Sequence, residues 1–418
     1  MQTTPKSMRL QIGLFGRTNV GKSSFLNMIA AQDVAVTSSI PGTTTDVVEK
    51  AMELLPLGPV MFLDTAGIDD KSELSEARIR KTNIALERAE VCVLITEAGI
   101  WSEFEDKIAS EASVHKIPLI VIVNKADKMA VTGEFLEKVK EKTDKYIICS
   151  SVDLPNRQSY VMDFKQKLIE AVPEEVLRQP SLVGDLLSPG DIAVLVVPID
   201  LQAPKGRLIL PQVQAIRDAL DNDAATLVVK EREYGSVLQS LKNPPGLVVC
   251  DSQVVLKMVA DTPIEIPCTT FSILFARFKG DLCEEVKGAL AIDSLSTGDK
   301  VLIAEACTHH AAEDDIGRVK IPRWLRQYCG EELQIDVCSG RDYPENLSQY
   351  KLIIHCGACM LTRREMLVRI QKAIQAGVAI TNYGVAISFL QGVLQRVLSP
   401  FPAALETFNS EKTGHRNR

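Results

Sequence analysis

The stretch RLQIGLFGRTNVGKSS, residues 9–24, decides the fold of the first part of the chain. Residues 9–15 form an apolar run typical of a buried strand, and residues 16–23 follow with the pattern G-x-x-x-x-G-K-[ST]. Between a strand and a helix, such a loop turns its backbone N–H groups towards phosphate oxygens. We therefore predict a phosphate-binding loop. The residues expected to contact the phosphates or their Mg²⁺ ion are Gly16, Gly21, Lys22, Ser23 and Ser24.

Two further strand ends carry residues that a nucleotide site needs. Asp64 ends the predicted strand 60–64, where its carboxylate can reach the Mg²⁺ shell, and the N–H of Gly67 can meet the γ-phosphate. Asn124, Lys125 and Asp127 lie at the end of the predicted strand 118–124. A fixed carboxylate at Asp127 can accept from guanine N1–H and N2–H₂, and adenine offers no such pair of donors. The sequence therefore predicts that GTP binds in preference to ATP.

The order and spacing of these elements resemble a GTPase of the translation-factor-like class. By that resemblance, residues 41–46 (PGTTTD) correspond to the switch I segment, with Thr44 as a ligand of Mg²⁺. Ser150 and Ser151, at the end of the predicted strand 146–150, correspond to the last loop that contacts guanine. The resemblance covers residues 10–170 and implies a GTP-binding, GTP-hydrolysing domain.

Two positions bear on the rate of hydrolysis. Ile68 follows the sequence DTAG, where Ras-like enzymes have a glutamine that orients the attacking water. Asn19 resembles an asparagine that holds a K⁺ ion in the subclass similar to Era and TrmE, and such an ion would stabilise charge in the transition state. We therefore expect slow hydrolysis that K⁺ stimulates, with a loop-shaping role for Asn19 as the alternative. The residues expected to act in catalysis are Asn19, Lys22, Thr44 and Gly67.

Charge and composition exclude several classes of partner. The chain of 418 residues has a net charge of −7, and phosphate binding by nucleic-acid-binding proteins needs clustered Lys and Arg. No apolar run reaches the roughly 18–20 residues that cross a bilayer, and the first ten residues lack the apolar core of a signal peptide. We therefore expect a cytoplasmic protein with neither a membrane nor a nucleic acid as its partner. Its ten cysteines are predicted to be thiols or metal ligands rather than disulfides.

Apolar strands alternate with amphipathic helices along most of the chain, which predicts an α/β protein with a doubly wound, mainly parallel sheet in its first domain. A stretch rich in proline, residues 172–191, indicates a linker. Two further alternating units follow it, and neither carries a phosphate-binding pattern. The predicted organisation is a P-loop GTPase domain at 8–172, a linker at 173–191, a middle α/β domain at 192–265, a C-terminal α/β domain at 266–407 and a flexible tail at 408–418.

Two short segments of the C-terminal domain combine cysteine with histidine, each just beyond a predicted strand. They read CTHH at 307–310 and HCGAC at 355–359. Ligand residues gather at such strand ends in open α/β sheets, and sulfur together with imidazole suits zinc or the iron of an iron–sulfur cluster. The segments therefore predict a metal site. Other cysteines, Cys92, Cys149, Cys250 and Cys338, lie in apolar strands and are expected in the core, although Cys329 and Cys338 could approach the site as substitutes.

The pattern C-x-H followed by H-C-x-x-C, behind a GTPase domain, resembles the hydrogenase maturation GTPase family called HydF, and residues 203–212 (APKGRLILPQ) are similar to a family segment. The resemblance implies a scaffold, carrier and assembly chaperone that holds a [4Fe–4S] cluster in the C-terminal domain. It also implies that a transient two-iron precursor comes from two radical-SAM maturases and passes to apo-[FeFe]-hydrogenase, and that the middle domain forms a homodimer. The implied cluster ligands are Cys307, Cys356 and Cys359, with His309, His310 or His355 as a labile fourth ligand.

Two other interpretations remain open from the residues alone. The first is a ribosome-assembly or tRNA-modifying GTPase with a structural zinc module, although residues 266–418 hold nearly equal numbers of basic and acidic side chains, which disfavours RNA. The second is an enzyme whose chemistry occurs at the Cys/His site, although no nucleophile–base pair or cofactor motif supports it. Three thiolates favour the carrier, because they leave one iron of a four-iron cluster with a replaceable ligand.

Overall fold

The structure of the protein, a computed structural model, divides into two compact units, Met1–Gln179 and Pro180–Arg418. No helix in the described part of the chain is long and apolar enough to cross a membrane. The described residues, apart from the side chains of 76–81 and 413–416, are 5–30, 48–64, 76–172, 180–198, 208–306, 315–330, 332–340 and 342–416.

The first unit is built on a six-stranded sheet with the order β2-β3-β1-β4-β5-β6, in which only β2 runs antiparallel to its neighbour. The strands are β1 (Leu10–Phe15), β2 (Val48–Leu54), β3 (Gly58–Asp64), β4 (Val91–Glu97), β5 (Leu119–Asn124) and β6 (Tyr146–Ile148). The helices are α1 (Lys22–Ala30), α2 (Glu76–Arg88), α3 (Glu103–Val114), α4 (Gly133–Lys142) and α5 (Arg157–Ala171). The predicted doubly wound, mainly parallel sheet is confirmed.

Burial explains why the central strands of this sheet read as apolar runs. All six residues of β5 are buried, and so are six of the seven in β4, because helices cover both faces of a parallel sheet. Strand β2 differs, because its sequence VEKAMEL mixes charged with apolar residues. Of its four apolar side chains, only those of Met52 and Leu54 are almost fully buried. An edge strand of this kind has a weak sequence signal, and it was not predicted.

The second unit contains two four-stranded sheets, both entirely parallel, with the orders β10-β9-β7-β8 and β12-β11-β13-β14. The strands are β7 (Ile192–Val196), β8 (Ala225–Val229), β9 (Leu247–Cys250), β10 (Cys268–Thr270), β11 (Lys300–Glu305), β12 (Gln334–Ser339), β13 (Leu352–His355) and β14 (Ala379–Asn382). The helices are α6 (Leu210–Asp221), α7 (Tyr234–Ser240), α8 (Val255–Asp261), α9 (Phe271–Lys279), α10 (Leu282–Leu290), α11 (Ile321–Cys329), α12 (Arg363–Gln375), α13 (Tyr383–Leu390), α14 (Leu394–Val397) and α15 (Pro402–Arg416).

In three places the second unit differs from the domain boundaries expected from the sequence. Strand β10 lies after the expected border between residues 265 and 266, yet it completes the sheet of β7, β8 and β9. Within the expected linker, Leu182, Val183 and Leu187 are buried in the core of this unit. The expected tail is helical as far as Arg416, because α15 continues through it and Phe408 packs into the same core.

The strand pairing of the second sheet brings distant segments together. Strand β11 pairs with β13 in parallel, and Ala304 lies opposite His355. The carboxyl ends of the two strands therefore meet at one edge, where β11 leads towards residue 307 and β13 towards Cys356. Helix α12 covers the face of the sheet below that edge, since Met366, Ile370 and Ala373 share a core with Leu302 and Ile353.

Helix α10 buries a carboxylic acid without an ion-pair partner. Glu285 is fully buried, and neither of its carboxyl oxygens has a hydrogen-bond partner among the described residues. An added Cβ at Gly280 would lie 2.6 Å from Oε1 of Glu285, so the backbone at Gly280 lies close to this oxygen. Burial, with a smaller effect from the charge of Asp281, raises the pKa of Glu285 from 4.5 to about 8.

Replacing Glu285 by glutamine should change how the stability of the second unit depends on pH. Between pH 4.5 and about 8 the unfolded chain releases a proton that the folded chain keeps, so the parent loses stability as pH rises. The Glu285→Gln variant lacks this loss. Its free energy of unfolding relative to the parent should therefore grow by roughly 2–4 kcal/mol between pH 5 and pH 8.5, at about 1.4 kcal/mol per pKa unit.

Urea denaturation followed by tryptophan fluorescence measures this difference if Trp324 on α11 is the only tryptophan, which a Trp101→Phe background achieves because the chain has two tryptophans. Glu284→Gln is the matched control, since it removes a half-exposed carboxylate from the same turn of α10. The control is not expected to reproduce the gain at pH 8.5. An equal stability difference between parent and Glu285→Gln at both pH values would contradict a buried, protonated Glu285.

Candidate functional site

The phosphate-binding loop joins β1 to α1 at the carboxyl edge of the first sheet, as predicted. Gly16 and Gly21 have φ angles of 152° and 98°, which L side chains rarely adopt. An added Cβ would lie 2.5 Å from the carbonyl oxygen of Ile95 at position 16 and 2.3 Å from Nδ2 of Asn124 at position 21. Both glycines are therefore required by backbone conformation and by the closeness of neighbouring strands.

Lys22 contacts the loop from inside, and Asn19 turns the backbone with a positive φ angle. Lys22 is buried, and its Nζ donates to the carbonyl oxygens of Gly16 at 2.5 Å and Arg17 at 2.8 Å. The ammonium group therefore lies inside the loop, where phosphate oxygens can replace the two carbonyls. Asn19 has a φ of 64° and its side chain is exposed.

The side-chain amide of Asn124 connects three parts of the site. Asn124 is 2% exposed; its Nδ2 donates to the carbonyl oxygen of Val20 at 2.9 Å, and its Oδ1 accepts from N and Oγ of Ser151 at 3.0 and 2.9 Å. Lys125 adds a second connection, because its Nζ donates to the carbonyl oxygen of Asn19 at 2.5 Å and pairs with Glu97. The loop after β5 therefore positions both the phosphate-binding loop and the loop after β6.

The remaining predicted nucleotide residues differ in burial. Asp64, at the end of β3, is buried, and its Oδ2 lies 3.5 Å from Nζ of Lys50. Ser23, Ser24 and Asp127 are exposed. Ser150 is buried, and its Oγ has no hydrogen-bond partner among the described residues. Thr44, Gly67 and Ile68 lie outside the described residues, as does the whole of 41–46.

An ion pair that the sequence analysis missed anchors the phosphate-binding loop to α3. Nε of Arg17 lies 2.7 Å from Oε1 of Glu105, a fully buried residue. Glu105 also accepts from N and Oγ of Ser102 at the start of α3. The sequence S-x-x-E at 102–105 is a capping-box pattern and could have indicated the helix start, but no local pattern indicates its contact with the loop.

The second candidate site lies at the joined ends of β11 and β13. Cys356 and Cys359 are half-buried, and Ala358 between them has a φ of 52°, which turns the chain sharply. The backbone N–H of Cys356 donates to the carbonyl oxygen of Ala304 at 2.9 Å. The N–H of Ala306 donates to Sγ of Cys356 at 3.1 Å, so the residue before Cys307 contacts the first thiol of the C-x-x-C turn.

Of the histidines predicted near this turn, only His355 is among the described residues; Cys307, His309 and His310 lie outside them. The imidazole of His355 is fully buried, with Nδ1 at 2.9 Å from the carbonyl oxygen of Cys356 and Nε2 at 2.9 Å from a guanidinium nitrogen of Arg369. Burial, and next the charge of Arg369, lower the pKa of His355 to about 3, so the ring is neutral at physiological pH. In the described part of the chain, no three His, Cys, Asp or Glu side chains form a metal-binding group.

Three of the four cysteines predicted to lie in the core do so, and the fourth, Cys338, does not. Cys92, Cys149 and Cys250 are fully buried in their strands, which confirms the prediction, and burial raises the pKa of Cys149 to about 12. Cys338 is half-buried on β12, and burial raises its pKa to about 11.

Comparison with known families places both units. The family model described as 50S ribosome-binding GTPase matches residues 11–125. The Hydrogen maturase F dimerization domain matches residues 182–280, and the Hydrogen maturase F tetramerization domain matches residues 283–400. The last two together cover more than half of the 418 residues.

The chain belongs to the hydrogen maturase F (HydF) family.

Curated relatives of the HydF-type chain include the tRNA modification GTPase MnmE of Prochlorococcus marinus, which is 35% identical over 141 residues, covering 33% of this chain and 29% of the relative. GTPase Der of Campylobacter lari is 29% identical over 268 residues, covering 54% of this chain and 56% of Der. The chain thus spans 29% of the length of MnmE and 56% of the length of Der. A crystal structure of Aquifex aeolicus Era is 17% identical, covers 53% of this chain and 92% of its own, and has a TM-score of 0.31.

The GTPase-domain match and the α/β architecture identify the first unit as a P-loop GTPase domain and support GTP with Mg²⁺ as its ligands. The same match supports hydrolysis of GTP by this domain. The dimerization and tetramerization domains of HydF support oligomerisation of the chain.

Replacing Asn124 by alanine should loosen all three loops of the nucleotide site at once. The variant leaves the buried carbonyl of Val20 and the donors of Ser151 without their partner. We expect the first unit to lose about 1–3 kcal/mol of stability and the affinity for GDP to fall by at least about tenfold. Asn156→Ala, which removes an exposed amide bonded to Asp153, is the matched control. Fluorescent GDP binding measures the effect, and equal affinities in the two variants would contradict this role of Asn124.

Proposed function

We propose that this protein is a GTP-binding and GTP-hydrolysing scaffold that holds a [4Fe–4S] cluster and delivers a two-iron precursor to apo-[FeFe]-hydrogenase. Membership of the HydF family supports the role in hydrogenase maturation, and the GTPase domain supports nucleotide hydrolysis. The observation that carries the proposal is the contact between the N–H of Ala306 and Sγ of Cys356, because it brings the residue that precedes Cys307 to the first thiol of the C-x-x-C turn.

In the GTPase domain, we propose a distinct role for each nucleotide residue; for Thr44 and Gly67, which lie outside the described residues, the sequence pattern alone supports the role. Lys22 exchanges its two carbonyl partners for phosphate oxygens, and Ser23 ligates Mg²⁺ together with Thr44, while Asp64 lies in the outer shell of the ion. Asn124 and Lys125 hold the loops in register, and Asp127 accepts from guanine. Gly67 donates its N–H to the γ-phosphate. Ser24, Ser150 and Ser151 complete the contacts to the nucleotide.

We further propose that hydrolysis is slow and that K⁺ stimulates it through Asn19. The backbone carbonyl of Asn19 is bonded to Lys125 while its side chain is exposed, which leaves the side-chain oxygen available to a cation beside the β- and γ-phosphates. A K⁺ ion there supplies positive charge that an arginine supplies in other GTPases.

Replacing Na⁺ by K⁺ at equal ionic strength should raise the rate of GTP hydrolysis in the parent several-fold, and Asn19→Ala should abolish the difference, because it removes the ligand of the cation. Asn27→Ala, an exposed asparagine one turn along α1, is the control and should keep the stimulation. Phosphate release in the two salts measures the effect. Equal rates of the parent in K⁺ and Na⁺ would refute the K⁺ assignment.

In the second unit, the donor set fits an iron–sulfur cluster. Cys356 and Cys359 place two half-buried thiols on one sharp turn, and Ala306 brings the chain next to them immediately before Cys307. Thiolates are the ligands that such clusters prefer, and hydrogen bonds to sulfur are a usual feature of their sites. Three thiolates would leave one iron open to exchange, which a carrier needs for loading and release.

The hydrogen bonds of His355 disfavour this residue as the fourth ligand of the cluster. Both ring nitrogens of His355 have hydrogen-bond partners, Cys356 and Arg369, so the ring would have to break two buried bonds before it could bind iron. We therefore propose His309 or His310 as the labile ligand. The proposed partners are apo-[FeFe]-hydrogenase, the two radical-SAM maturases that supply the precursor, and a second copy of this chain.

Replacing Cys307, Cys356 or Cys359 by alanine should remove most of the bound iron and abolish maturation of apo-hydrogenase, because each change removes a thiolate that no described neighbour replaces. Cys283→Ala removes a half-buried thiol on α10 and is the matched control, which should keep both. The GTPase rate should stay near that of the parent in all four variants. Lys22→Ala should show the opposite result, with no turnover and full iron. Full iron and full maturation in the three cysteine variants would rule the carrier out.

A further inference from the structure

His355 lies in the last row of residues that crosses all four strands of the second sheet. Cys338, Ala304, His355 and Asn382 lie opposite one another on the four neighbouring strands β12, β11, β13 and β14. His355 is 0% exposed, and Arg369 reaches it from helix α12. The histidine that directly precedes Cys356 is therefore enclosed by the sheet and by a cationic side chain.

The partners of His355 fix its tautomer. A guanidinium has only N–H donors, so the nitrogen at 2.9 Å from Arg369, Nε2, must be the unprotonated acceptor. The proton of the neutral ring is then on Nδ1, which donates to the carbonyl oxygen of Cys356 at 2.9 Å. The direction of both hydrogen bonds follows from Arg369 alone.

Arg369 is itself held from two sides. Its second terminal nitrogen donates to the carbonyl oxygen of Gly340 at 2.7 Å, and its guanidinium lies over the ring of Tyr343, 4.7 Å from the centroid. Only 8% of Arg369 is exposed. A buried planar donor with these partners has little freedom to move, so it can fix the orientation of the imidazole beneath it.

Cys356 is bonded at each of its polar groups. Its N–H donates to Ala304, its Sγ accepts from Ala306 at 3.1 Å, and its carbonyl accepts from His355, with Nδ2 of Asn382 at 3.5 Å. Among these bonds, the one from His355 fixes the peptide plane that leads from Cys356 into the turn.

We propose that Arg369 and His355 are positioning residues that fix the peptide of Cys356 and thereby set the electronic properties of the cluster that this cysteine binds. The proposal rests on the proposed function and assigns His355 a role other than that of an iron ligand. Loss of Arg369 removes the donor that holds Nε2 and frees the ring to change tautomer. The carbonyl of Cys356 then keeps only the longer bond from Nδ2 of Asn382, at 3.5 Å. The bond from Ala306 to Sγ then relaxes, and the potential of a cluster depends on such bonds.

The first test uses the metal-free full-length protein and reads the tautomer directly. In the parent, ¹⁵N NMR of labelled histidine should show His355 protonated at Nδ1 and unprotonated at Nε2. Arg369→Met should lose this pattern, while Arg369→Lys, which keeps a cationic donor, should retain it in part. Lys372→Met removes an exposed positive charge one turn along α12 and should leave the pattern unchanged. An unchanged tautomer in Arg369→Met would overturn the proposal whether or not the protein binds iron.

The second test uses the anaerobically loaded protein. Arg369→Met should bind as much iron as the parent but show a broadened EPR spectrum of the reduced cluster and a lower midpoint potential, with Arg369→Lys in between. Identical spectra and potentials in the parent, Arg369→Met and Lys372→Met would overturn the proposal. Absence of iron and sulfide from the parent itself would instead refute the proposed function, and the tautomer measurement would still decide the hydrogen-bond network.

A pair of variants at His355 tests the proposal even if the Arg369 variants fail to fold. His355→Asn keeps an amide N–H near the position of Nδ1, and His355→Leu has no donor. If His355 positions Cys356, the Asn variant should retain the EPR spectrum and potential of the parent better than the Leu variant. If His355 were an iron ligand, the two variants would change alike, because neither supplies an imidazole, and the proposal would be wrong.

Discussion

Parallel pairing of β11 with β13 is the constraint on which the second unit depends. The two cysteine segments are far apart in sequence, and the register that sets Ala304 opposite His355 brings their strand ends together. The N–H of Ala306 then bonds to Sγ of Cys356, a contact that a slip of one residue in the register would destroy. The same pairing places His355 under α12, so the site and its supporting residues come from one arrangement of strands.

The first unit uses the same principle with different chemistry. Its nucleotide residues lie beyond the carboxyl ends of β1, β3 and β5, and the amide of Asn124 joins the phosphate-binding loop to the loop after β6. Parallel sheets collect functional loops at this edge because each strand is followed by a connection that leaves from the same side. A fully buried amide that satisfies three groups is a sensitive point, since its loss exposes several unpaired polar atoms together.

The sequence predicted the parts of the fold that have strong local patterns. The phosphate-binding loop and the apolar strands β1, β4 and β5 are confirmed, because burial on both faces and a glycine-rich turn are both visible in the residues themselves. Strand β2 and the helical end of the chain were missed. In β2 the exposed face mixes charges into the strand, and α15 is held by Phe408, whose burial depends on the core of the second unit.

In the candidate sites, too, features with a local sequence pattern were predictable and tertiary contacts were not. The C-x-x-C turn and the strand ends were predictable, since residue type and spacing carry that information. The partners were not: Arg17 with Glu105 and His355 with Arg369 each join residues from different elements. In the sequence, His355 resembles a metal ligand because it adjoins Cys356. The structure shows that both ring nitrogens of His355 have hydrogen-bond partners, the carbonyl of Cys356 and the guanidinium of Arg369. Contacts of this kind depend on tertiary packing, which no local spacing records.

The central claim is that the cysteine segments of the second unit hold an iron–sulfur cluster. Its most direct test is quantification of iron, acid-labile sulfide and zinc in the unmodified protein, produced and purified without oxygen. The account predicts about four iron and four sulfide per chain, with a broad visible absorption band, as a [4Fe–4S] cluster requires. Colourless protein with stoichiometric zinc and no sulfide would contradict it and would favour a structural zinc module instead.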